Sequence, residues 1–157
     1  MYTKYDCSAC SEFFETTYPQ VKKNYIDRGL VKFVVRFMTN KNQLVPFYAL
    51  KSAQYAFEHN FYESFDNQIH QSNFSQLDTL KIRELVLSLD TTHSTFDSFM
   101  KAQNTATKLI EKAKAAREAG INKTPAFLIN GELHFGSRKF GRFEEWILQE
   151  INEPVCE

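Results

Sequence analysis

Near the start of the chain, apolar positions recur first at helical and then at strand spacing. Phe14, Tyr18, Val21 and Tyr25 fall at i, i+4, i+7 and i+11, the stripe of an amphipathic helix. The pattern predicts a helix from Cys7 to Arg28, kinked at Pro19 and stopped at Gly29. Leu30–Met38 (LVKFVVRFM) is dense in β-branched and aromatic residues and predicts a buried strand. Residues 2–6 read as the end of an earlier strand. Strand, helix and strand in this order form a β-α-β unit with a parallel pair and a right-handed crossover.

Beyond the polar stretch 39–45 the pattern becomes helical throughout. Pro46 suits the first turn of a helix whose apolar face is Phe47, Leu50, Gln54 and Phe57, with Ala53 beside it. Phe61, Phe65 and Ile69 mark a second helix, and residues 71–78 a polar break. Leu80–Leu89 and Thr95–Met100 predict two more helices. Asn104–Ala119 is the clearest helix in the chain, ending at Gly120. The last part changes character. Ala126–Ile129 reads as a strand, Asn130-Gly131 as a two-residue hairpin turn, and Glu132–Phe135 as the returning strand. Arg142–Ile151 is a final helix with Phe143, Trp146, Ile147 and Ile151 on its apolar face.

The chain has 157 residues, which suits one domain carrying an insertion. Only 5 Gly and 4 Pro argue against a turn-rich β-sandwich, while 15 Phe predict an aromatic core. Lys+Arg and Asp+Glu both number 19, so no global charge draws the chain to nucleic acid or anionic lipid. No apolar run approaches the roughly 18 residues of a membrane span. Lys4 and Asp6 follow Met1 so closely that no signal peptide is visible.

Three cysteines are too few for a disulfide framework, so their placement decides their meaning. Cys7-Ser8-Ala9-Cys10 stands where a strand turns into a helix. Cys7 would lie at the helix N-terminus, where free N–H groups and the dipole favour a thiolate. A thiolate attacks disulfides, and a second cysteine one turn on can resolve the mixed disulfide. C-x-x-C is also half of a zinc site. Zinc needs two more ligands, and Cys156, His59, His70, His93 and His134 form no second close pair. A second signal is Thr124-Pro125 before the strand AFLI, a candidate cis bond. Proline there can leave neighbouring backbone open to an extended peptide, or can simply begin a strand. His134 reads as a surface or cross-strand residue, Lys108, Lys112 and Lys114 as a solvated helix face, and Cys156 as a tail thiol.

Taken together, C-x-x-C opening a kinked helix, a strand, a helical insertion, then GINKTPAFLING, a hairpin and a terminal helix resemble the DsbA-like branch of the thioredoxin superfamily. The resemblance spans Tyr5 to Ile151 and is most specific at Cys7–Cys10 and Gly120–Gly131. It implies an α/β thioredoxin fold, a mixed central sheet with flanking helices, carrying an all-helical insertion. The thioredoxin-like domain would be split between residues 1–45 and 120–157, with 46–119 as the insertion, which caps the active-site side in that family. By the same resemblance Cys7 is the nucleophile and Cys10 the resolving cysteine. Thr124 and Pro125 bind substrate through a cis peptide bond, and Ser8 and Ala9 tune the couple.

The implied activity is disulfide exchange with cysteine-containing polypeptides, in concert with a redox partner protein. No metal or organic cofactor is needed, because the disulfide carries the two electrons. Strongly oxidising relatives have Pro-His where Ser8-Ala9 stands; neither Ser nor Ala supplies positive charge, so a less oxidising couple is expected, with hydroxyl donation by Ser8 a partial compensation. An oxidase in the periplasm or cell envelope is the leading expectation if residues before Met1 are missing. A cytoplasmic reductase or an isomerase is the alternative. A peptide-binding or redox-sensing module without turnover is the alternative from another class. A monomer is the default. A short first strand would leave apolar neighbours uncovered and open to pairing with another chain.

Overall fold

The computed structural model describes residues 1–91 and 95–152. The chain divides into two compact units, Met1–Arg36 with Ile121–Glu157, and Phe37–Gly120.

The first unit carries most of a four-stranded mixed sheet of order β2-β1-β3-β4. β1 is Tyr2–Thr3, β2 Arg36–Phe37, β3 Ala126–Ile129 and β4 Glu132–Phe135. Met1 N donates to Val34 O and Arg36 N donates to Met1 O, both at 2.8 Å, the slanted pattern of parallel neighbours. β3 runs antiparallel to β1, with Tyr2 opposite Ala126, and antiparallel to β4, with Ala126 opposite Phe135. Asn130 and Gly131 both have positive φ, 45° and 111°, which the tight β3–β4 turn requires and which Asn-Gly supplies at least cost.

The strand expected over Leu30–Met38 is paired as a strand only at Arg36–Phe37. Pairing with β1 begins at the Val34 carbonyl, so Leu30–Phe33 lies beyond the ladder however strand-like its composition. Between residues 30–34 and 127–130 runs a cavity of about 310 Å³, floored by Val21, Phe143 and Ile147.

The helix after Cys7 is α1 (Ser8–Glu12), a π-type turn (Phe13–Thr17), α2 (Tyr18–Val21) and a second π-type turn (Lys22–Ile26). Tyr18 N–H reaches back five residues to Phe13 O, and Asp27 N–H to Lys22 O. Pro19 has no N–H to give and crowds the turn before it, so the backbone widens there. The wider turns hold a strict four-residue repeat on one face. The buried stripe is therefore Phe13, Thr17, Val21 and Tyr25, not the expected one through Phe14 and Tyr18, which are half-buried. Phe13 is the hub: its ring lies 4.7 Å from Phe127, 5.0 Å from Phe143 and 6.2 Å from Phe33. α8 (Phe140–Asn152) packs Phe143 and Ile147 onto this cluster and leaves Ile151 exposed.

The second unit is helical: α3 (Leu44–Glu58), α4 (Tyr62–Gln71), a short 3₁₀ turn (Phe74–Gln76), α5 (Thr79–Leu89), α6 (Phe96–Lys101) and α7 (Gln103–Glu118). α5 starts where Asp78 Oδ1 accepts the Lys81 N–H at 2.8 Å. The face expected on α3 is only partly right, because Phe57 is 66 % exposed. The small residues Ala49, Ser52, Ala53 and Ala56 let neighbouring helices approach, and Tyr55 fills the centre. Its hydroxyl donates to Asp90 Oδ2 at 2.5 Å, and its ring meets Phe96 and Phe99 edge-on. Buried Lys51 donates to the carbonyls of Met100 and Ala102, at 2.7 and 3.1 Å. Lys108, Lys112 and Lys114 are exposed, as expected of a solvated face.

Candidate active site

Cys7 leaves β1 in an extended conformation, φ −109° and ψ 99°, and caps the helix that follows. Its carbonyl accepts from Cys10 N at 2.9 Å and from Ser11 N at 3.1 Å. Its Sγ accepts the same Cys10 N–H at 3.2 Å. A sulfur at an N-cap stands where serine or aspartate oxygen usually does, against N–H groups that have no helical partner. Such donors favour a thiolate over a thiol. Cys7 and Cys10 are joined as a disulfide with their Cα atoms 5.2 Å apart.

The two sulfurs have unequal surroundings. Cys10 is fully buried on the Phe13 cluster, whereas Cys7 packs on its edge and is half-buried. Solvent or a partner can therefore reach only Cys7. Ser8 is exposed and its hydroxyl makes no hydrogen bond among the described residues in the disulfide form; Ala9 is half-buried.

The Thr124-Pro125 peptide bond is cis. Pro125 is buried, and its carbonyl accepts from Gly136 N at 2.9 Å. Thr124 is half-buried, and its own backbone N–H and C=O make no hydrogen bond among the described residues. Because β1 and β3 are antiparallel, the end of β1 that leads to Cys7 is the end at which β3 begins. The cysteine pair and the cis peptide thus share one end of the sheet. Cys156 and His93 fall outside the described residues.

His134 sits opposite Phe127 across the β3–β4 pair and stacks on Trp146, ring centroids 4.5 Å apart, with Nε2 buried and without a hydrogen bond among the described residues. Two features of this end were not anticipated. Thr17 Oγ1 donates to Arg138 O at 2.6 Å and ties the first π-type turn to the segment after β4. Lys123 Nζ lies 4.8 Å from the centre of the Phe135 ring. Its position just before Thr124-Pro125 was the only signal in the sequence that could have marked it.

The sequence profile of the thioredoxin family matches residues 1–149, and the chain belongs to that family. Its fold is a thioredoxin fold carrying a helical insertion. Its fold is similar to that of oxidised BdbD from Bacillus subtilis, with 17% identity over 97% of this chain and 85% of that one and a TM-score of 0.76. It is also similar to alpha-DsbA1 of Wolbachia pipientis, with 19% identity over 96% and 83% and a TM-score of 0.75. The catalytic domain of Proteus mirabilis ScsC gives 17% identity over 97% and 81%, with a TM-score of 0.72. No curated protein sequence matches. Among the described residues no helix is long and apolar enough to cross a membrane.

Proposed function

We propose that this chain is a thiol–disulfide oxidoreductase that donates the Cys7–Cys10 disulfide to cysteine-containing polypeptides. The observation that carries the reading is the Cys7 sulfur, accessible and held at a helix start by the Cys10 N–H, above a buried Cys10. A substrate thiolate attacks Cys7 Sγ, and Cys10 leaves as the thiolate. A second substrate thiolate then attacks the substrate sulfur of the mixed disulfide and releases Cys7. The substrate gives up two electrons and two protons, and the pair ends as a dithiol. The open backbone of Thr124 supports a role in holding the substrate as an extended strand. A separate redox protein would restore the disulfide. Disulfide donors work where disulfides persist, which supports an extracytoplasmic setting, with the chain acting as a monomer.

The test is disulfide transfer to a reduced protein, together with the potential of the couple in glutathione buffers read by mass after alkylation. Cys7→Ser should abolish transfer, and transfer that survives it overturns the assigned nucleophile. The N-cap bond favours the reduced form while Ser8-Ala9 adds no positive charge, so the couple should lie between about −270 mV and about −120 mV. A value near about −270 mV would instead mark a thioredoxin-like reductant.

A further inference from the structure

The sheet end that holds Cys7 also gathers unpaired positive charge. Lys4 follows β1, Lys123 precedes β3, and Arg138 and Lys139 follow β4. The antiparallel pairings bring these three chain segments to one edge. None of the four cations is in an ion pair among the described residues. Elsewhere in the same unit, Lys22 pairs with Asp27 and Arg142 with Glu145. Along these segments and α1 the acids are Asp6, before Cys7, and Glu12, at the end of α1. In a chain with no net charge, the end that meets substrate is locally positive.

Two of the cations rest on aromatic faces rather than on carboxylates. Lys123 lies over Phe135, and the Arg138 guanidinium lies 5.6 Å from the centre of the Trp146 ring. Such a platform restricts where the cation sits without neutralising it. Lys123 is exposed and adjoins Thr124, whose backbone is open. A peptide paired with Thr124 would bring its own side chains to about 4.5–5.5 Å from those beside it, measured between Cβ atoms, well within reach of a lysine.

We propose that Lys123, with Lys4, Arg138 and Lys139 around it, selects polypeptides that carry acidic residues beside their reactive cysteines. The selection rests on the exchange reading above. It acts on encounter as well as on pairing, since a local field of one sign raises the rate at which opposite charge arrives.

The test uses three dithiol peptides of one sequence, with Glu, Gln or Lys flanking the cysteines, oxidised by the disulfide form of the chain. At low salt the Glu peptide should react about tenfold faster than the Lys peptide, and the gap should close at high salt as the field is screened. Lys123→Glu should bring the ratio to one or below. Lys32→Glu makes the same change in net charge beside residues 127–130, at the end of β3 away from Thr124-Pro125, and should leave the ratio as it was. Equal rates for all three peptides, or an equal effect of the two substitutions, would overturn the selectivity alone. Failure to oxidise even the Gln peptide would overturn the exchange reading, and the selectivity with it.

Discussion

Tyr25 shows how much a single side chain can hold. It is the last residue of the buried stripe, and its hydroxyl donates to Glu144 Oε1 on α8 at 2.6 Å. Burial, and then the bond to Glu144, push its phenol up to about 12. An unfolded tyrosine releases its proton near about 10. Between those values the unfolded chain has given up a proton that the folded chain keeps. The native state therefore loses stability as pH rises through that window. Tyr25→Phe should remove this alkaline loss while costing about 1 kcal/mol at neutral pH. Urea midpoints at neutral pH and near about 11 check both, given the reference value for tyrosine. A Phe variant that weakens in parallel with the native chain would show that another group titrates. Cys7 belongs to the same scale. One backbone N–H at 3.2 Å from its sulfur supplies the polarisation that neither Ser8 nor Ala9 can.

Among the elements, the helices that behave least regularly are the most informative. Type and order could be read from periodicity nearly throughout, because a helical repeat in α4, α5 and α7 and a hairpin turn at Asn130-Gly131 are local signals. What could not be read depends on partners. Whether Leu30–Met38 is a strand depends on how much of β1 lies beside it. Whether Phe13 or Phe14 faces the core depends on turns widened around Pro19, which shift the register without changing the composition. On α3, Phe57 looked like core and Lys51 did not, yet the exposures are reversed, 66 % against 6 %. Lys51 earns its burial by supplying two donors to the carbonyls of Met100 and Ala102, at the end of α6. Lys51→Met keeps the length and removes the donors. It should cost about 2 kcal/mol and lower the melting temperature by several degrees, read by circular dichroism. No loss would mean that water satisfies those carbonyls equally well. Of the candidate site, Cys7, Cys10 and the Thr124-Pro125 bond were legible as motifs. The charge around Lys123 was not, because it is assembled from three separate segments.

Over the whole molecule, the first unit has a ragged edge. Leu30, Val34 and Leu128 around its cavity are 54 %, 43 % and 49 % exposed. Alternation along β3 turns the N–H and C=O of Leu128 away from β4, where no hydrogen bond meets them among the described residues. Exposed apolar edges of this kind promote association between chains. Leu128→Lys should raise the concentration at which the protein begins to aggregate, followed by light scattering, at little cost to its melting temperature. An unchanged threshold would show that chains meet elsewhere. The cysteine pair sits at the other end of this sheet, and its two sulfurs differ in reach. One is offered outward and one is sealed on the aromatic cluster. Of this pair only Cys7 is offered for covalent contact with the outside, like a plug with one live pin. In the proposed exchange Cys10, sealed at the back, would set how long each connection lasts.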